Sequence, residues 1–123
     1  MCNRNKLAAV AREEAGKPYH GKSDHCASNI QDIVALFPQW SVEEANGLWC
    51  AAFVYHCVIL AGFKIPVRPK ESSCSLAGCA AWEEWAQADS RIEYHSGNDK
   101  AFHPAAGDVV LFDRVFNNTD HDH

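Results

Sequence analysis

No run of lysine or arginine occurs in this sequence. Eleven basic residues are outnumbered by sixteen acidic ones, and the formal net charge is −5. Nucleic-acid binding draws most of its affinity from neutralised phosphates, so it is not expected here. An apolar run of the roughly 20 residues needed to cross a membrane is also missing. The most apolar stretch, residues 48–60, is shorter and contains His56. The first residues lack a long apolar core and carry Arg12, Glu13 and Glu14, so they do not read as a secretory signal. Six cysteines in 123 residues fall short of a disulfide scaffold, which takes roughly 8–10% cysteine. Reduced thiols are the expectation, although Cys74 and Cys79, the ends of "CSLAGC", could pair on oxidation. With no repeat, low-complexity tract or linker, residues 1–123 read as a single domain.

What is present is a globular composition, 47% hydrophobic and 22% charged, sufficient for a real core. Asn5 is placed to cap a first helix carrying Leu7, Val10 and Ala11 at helical spacing, which Gly16 and Pro18 end. "NIQDIVALF" puts Ile30, Ile33, Val34 and Phe37 on one helical face, with Pro38 as its stop. "NGLWCAAFVYHCVILAG", residues 46–62, is apolar nearly all round and predicts a buried central helix closed by Gly62. "SLAGCAAWEEWAQA" predicts another helix, with Trp82 and Trp85 as core or groove-wall residues. Two strands are then expected, a weak one at "RIEYH" and a strong one over residues 108–113, after the turn in "PAAGDVVLF". Val109 to Phe112 run without a polar break, which implies cover on both faces.

Helices first and strands last predict an α+β fold, with N-terminal helices packed on the start of an antiparallel sheet. Two strands are marginal alone. The sheet is therefore expected to continue past residue 123, and its open edge to favour self-association.

Chemistry is expected at Cys50. Asn46 and Gly47 suit a turn and N-cap, which places Cys50 in the first turn of the central helix, where the macrodipole and free N–H groups favour a thiolate. A nucleophilic cysteine also needs a base, and His103, His121 and His123 occur late in the chain. Cys57, two turns on, reads as core, and His56 as a satisfied buried histidine. Trp49 suits either a substrate groove or aromatic packing.

"WCAAFVYHCVILAGF" resembles the nucleophile helix of the CHAP family, the cysteine- and histidine-dependent amidohydrolase/peptidase domains. "PAAGDVVLFD" is similar to that family's Pro-x-x-Gly-Asp turn and following strand, and "NNTDHDH" lies where an Asp-His pair supplies its base. The resemblance implies a papain-like fold whose later strands are missing here. It implies Cys50 as nucleophile, His123 as base with His121 the alternative, Trp49 beside the substrate, and a third, orienting residue beyond His123. It further implies peptidoglycan or its stem peptides as partner, cut by an endopeptidase or N-acetylmuramoyl-L-alanine amidase activity at the bacterial cell wall, with no cofactor.

Two other classes stay open. A truncated, non-catalytic remnant or binding module would keep the cysteine without its sheet. A metal domain would draw on His20, His25, Cys26, Cys74, Cys79 and the His-Asp-His tail, although none of their spacings matches a common zinc pattern, and no metal site is assigned.

Overall fold

The computed structural model describes residues 3–21, 29–45, 47–114 and 123. Five helices occur in this part of the chain: α1 (Arg4–Ala15), α2 (Gln31–Val34), α3 (Val42–Ala45), α4 (Cys50–Leu60) and α5 (Cys79–Ala88). α1 and α2 pack against α4, and α2 also meets α3.

α1 is capped two residues earlier than expected. Asn3, not Asn5, is the N-cap, its side chain accepting the Lys6 N–H at 2.8 Å. Gly16 ends the helix, its N–H bonding the Glu13 carbonyl while the Lys17 N–H bonds that of Glu14. α2 is shorter than the pattern "NIQDIVALF" predicts. Ile30, Ile33, Val34 and Phe37 are all buried, as their spacing requires. The backbone, however, tightens after Val34, where Leu36 N–H bonds Ile33 and Phe37 N–H bonds Val34. Pro38 disfavours a helical Phe37, so the last turn closes early. α3 opens on a capping box: Glu44 N–H donates to Ser41 Oγ at 3.1 Å, and Ser41 N–H to Glu44 Oε2 at 2.8 Å.

α4 is the central helix that its composition predicts. Ala51, Ala52, Tyr55, Cys57 and Val58 are buried, and Tyr55 donates its hydroxyl to the Ile65 carbonyl. At its C-terminus, Gly62 N–H bonds Ile59 and Phe63 N–H bonds Val58. This Schellman closure needs the left-handed φ of +99° at Gly62. Each large apolar side chain in this core contributes about 1.5–3 kcal/mol over its exposed state.

The α+β expectation is overturned. Among the described residues there is no strand and no sheet, so the expected sheet edge and the self-association drawn from it lose their basis. A strand exists only by sharing its backbone groups with a neighbour, and neither expected segment does so in a ladder. In residues 91–95 the side chains bond locally. Asp89 accepts from Arg91 and Trp85, and His95 stacks on Phe102 at 3.8 Å between Glu93 and Asp99. Residues 108–113 leave Val109, Val110 and Phe112 43–52% exposed, and only Leu111 packs on the core. The turn before them does form: Asp108 N–H bonds Ala105, and Gly107 takes φ +92°. Arg4 of α1 holds that turn through Ala106 O and Asp108 Oδ1.

One buried charge joins α1 to α4. Glu14, 4% exposed, accepts from Tyr19 at 2.9 Å, contacts His56 Nε2 at 2.6 Å and pairs with Lys17 at 2.5 Å. His56 is thus a satisfied, largely buried histidine. Lys17 first, then His56 and Tyr19, hold the Glu14 carboxyl down at about 2 against burial, from an ordinary 4.5. A depressed carboxyl stabilises the fold fully above its unfolded pKa, and that contribution drains away between about pH 4.5 and 2. Denaturant melts of wild type and Glu14→Gln should therefore differ most at neutral pH, with wild type the more stable. The gap should close as the pH falls toward 2; a gap independent of pH would remove this role for Glu14.

Candidate thiol site

Cys50 and Cys79 are the first residues of α4 and α5. Both thiols thus occupy helix starts, where backbone N–H groups have no intrahelical acceptor. Gly47, in the left-handed region at φ +78°, turns the chain toward Cys50, and Leu48 N–H closes that turn on Ala45 at 2.7 Å. Asn46, the other half of the expected turn and cap, lies outside the described residues. The N-cap position itself is Trp49, which makes no side-chain cap.

The two sulfurs meet, with Cys50 Sγ 3.5 Å from Cys79 Sγ. The Ala51 N–H, next along α4, and the His123 ring, in the same cleft, favour the ionised sulfur. Together these hold the thiol down at about 6 from an ordinary 9.0. The Cys79 hydrogen bond is the largest cause; the His123 ring and the Ala51 N–H add to it, against burial. Cys57 is the contrast. Burial first, and then the charge of Glu14, push it up to about 11. One helix therefore carries a thiol poised to ionise at its start and an inert one two turns later.

His123 reaches this place because its carbonyl accepts the Phe112 N–H at 2.8 Å, and its ring lies against Phe112 at 6.3 Å. Residues 108–112 follow the "PAAGD" turn and so carry the end of the chain to the head of α4. His121 lies outside the described residues. His103 is exposed and does not line the cleft.

Cys50, Cys79 and His123 line a largely apolar cleft of about 480 Å³, walled by Trp49, Phe53, Trp82, Val110 and Phe112, with Glu14, Lys17 and Tyr19 at its polar side. Trp49 meets the cleft as expected, and its indole packs directly over Gly21, where any Cβ would collide with it. Trp82 is a core residue and a cleft wall together, donating its indole N–H to Leu76 O. Trp85 packs at the edge of the core.

Sequence reasoning brought Cys50, His123 and Trp49 to one place and missed Cys79. Its signal was "AGC" before an apolar helical pattern, which sets a cysteine directly after a glycine N-cap. Cys74, Cys79 and Cys50 are free thiols here; the Cys79 sulfur meets that of Cys50, and Cys74 is exposed. Among the described residues, no three His, Cys, Asp or Glu side chains are gathered to hold a metal ion. His25 and Cys26 lie outside them. No helix there is long and apolar enough to cross a membrane. Comparison of the chain with family models, curated proteins and solved structures gives no match.

The geometry predicts a pH profile. Alkylation of Cys50 by iodoacetamide, followed by peptide mapping, should rise through about pH 6 and level off by about pH 8, while Cys57 stays unmodified in the folded chain. In Cys79→Ala the midpoint should move up toward the ordinary thiol range near roughly 8.5. An unchanged midpoint would remove Cys79 as the main cause.

Proposed function

We propose that this chain is a cysteine-dependent amide hydrolase, with Cys50 as nucleophile and His123 as general acid–base. The observation that carries the reading is the placement of Cys50, at the head of α4, in one apolar cleft with His123, its thiol held down at about 6. The resemblance of "WCAAFVYHCVILAGF" to the CHAP nucleophile helix names Cys50, and the Asp-His pairs of "NNTDHDH", after the turn and strand pattern of "PAAGDVVLFD", name His123, with His121 the alternative. It directs the substrate class to peptidoglycan, at an amide within the stem peptide or between sugar and peptide.

In this mechanism the Cys50 thiolate attacks the amide carbonyl carbon. The oxyanion is met by N–H groups of the first turn of α4, which have no acceptor within the helix. His123 gives its proton to the departing amine, and the acyl group remains on sulfur. The same imidazole then takes a proton from water, which releases the acid and restores Cys50. Trp49 and Phe53 offer flat apolar walls to the chain flanking the bond.

The test is hydrolysis of purified peptidoglycan by the full chain, read as newly released amino groups. Cys50→Ser should abolish it, His123→Ala should lower it by about 10²–10⁴-fold, and EDTA should leave it unchanged. Activity persisting in Cys50→Ser, or lost to EDTA and restored by zinc, would overturn the mechanism. A wild-type chain that leaves peptidoglycan intact would overturn the substrate assignment.

A further inference from the structure

The hydrolytic reading has no use for Cys79 as a reacting group, yet its sulfur stands 3.5 Å from the nucleophile. Twenty-nine positions separate the two cysteines, and each occupies the first position of its helix. Both also line the same open cleft, so a small solute reaching one reaches the other.

We propose that Cys50 and Cys79 form a peroxide-reactive pair, in which Cys50 is oxidised by a hydroperoxide and Cys79 resolves the product as an intramolecular disulfide. In the first step the Cys50 thiolate attacks one peroxide oxygen. An S–O bond forms and the O–O bond breaks. The departing alkoxide, or hydroxide, takes up a proton, and the sulfur is oxidised by two electrons to a sulfenic acid. In the second step the Cys79 sulfur attacks the sulfenic sulfur. The S–S bond forms, the S–O bond breaks, and hydroxide leaves with the Cys79 proton as water. The sum is two thiols and one hydroperoxide giving one disulfide, one alcohol or water, and one further water. A thiol reductant reverses the bridge by exchange.

Distance and placement both support the pair. Disulfide sulfurs lie about 2.05 Å apart, so closure from 3.5 Å asks for rotation of two short side chains and a small approach of the helix starts. A thiolate without a resolving partner within reach goes on to irreversible acids. Cys79 is near enough to intercept it. Formation of the bridge also removes the nucleophile, so the cleft becomes silent under oxidation and recovers on reduction. Cys57 supplies the internal control, being buried in the same helix with its thiol pushed up to about 11.

The inference needs the thiolate at Cys50 and not the hydrolysis proposed above, and its readout is the mass of cysteine peptides. The full-length reduced chain is treated with equimolar hydrogen peroxide at neutral pH, blocked with iodoacetamide, and mapped without reductant. The expected result is a Cys50–Cys79 linked peptide with two hydrogens lost, which dithiothreitol dissolves. In Cys79→Ser, Cys50 should instead accumulate as sulfinic acid at higher peroxide, at least about tenfold more than in wild type. A wild-type map in which Cys50 joins another cysteine, or overoxidises without the Cys79 link, overturns the proposal whether or not the variant folds. So does a map in which both thiols remain alkylatable. Failure of the reduced chain to hydrolyse peptidoglycan, with the disulfide still forming on peroxide treatment, would count against the hydrolytic reading alone.

Discussion

Glu14 sets a carboxylate inside the molecule, and the N-terminal half is arranged around the need to keep it there. An ionised group out of water is tolerated only with partners that replace its hydration. Those partners come from three places: Lys17 one turn along, Tyr19 beyond the end of α1, and His56 on α4. Meeting that requirement fixes the rotation of α1 against α4 more narrowly than apolar contact could. Leu7 and its neighbours would tolerate a slip along the helix, and a charge with three directed bonds would not. The same cluster lines the cleft, so the device that sets the register of two helices also gives the cleft a concentrated charge.

Once α4 is held, its first residue is held as well. Cys50 has the Ala51 N–H next along the helix, Cys79 beside it and His123 in the same cleft, and each arrives by a different route. Cys79 is delivered by α5, whose Trp82 is anchored to Leu76. His123 is delivered by the segment after the "PAAGD" turn, which Arg4 ties to the start of α1. The site is therefore a meeting point of four parts of the chain. Its chemistry depends on sulfur-to-sulfur and sulfur-to-imidazole approaches that no single element controls.

Much of the helical part was legible. α4 is read from its near-continuous apolar run, and its end from Gly62, because only glycine takes that left-handed closure without strain. Ile30, Ile33, Val34 and Phe37 were legible as one buried face even though the helix through them is shorter than their spacing suggests. Periodicity reports which side chains go inside, while Pro38 decides how far the hydrogen-bond ladder runs. α3 itself was not expected, although its capping box is written in the sequence as "SVEE". The failure came at residues 108–113. Apolarity was taken for burial between partners, yet Val109, Val110 and Phe112 stand half-exposed along the cleft.

The sequence by itself determined the helical segments around Leu7, Ile33, Cys50 and Trp82, most of the apolar residues of the core, and that a thiol would stand at a helix start. Those properties follow from spacing and local backbone preference, which act over a few residues. Only the tertiary structure decided that residues 108–113 have no ladder, that Cys79 and not Cys74 is the neighbouring thiol, and that Glu14 is the charge buried against His56. Each of these depends on which groups, dozens of residues apart, come within hydrogen-bonding reach. A sulfur 3.5 Å from another leaves no trace in the order of the residues between them.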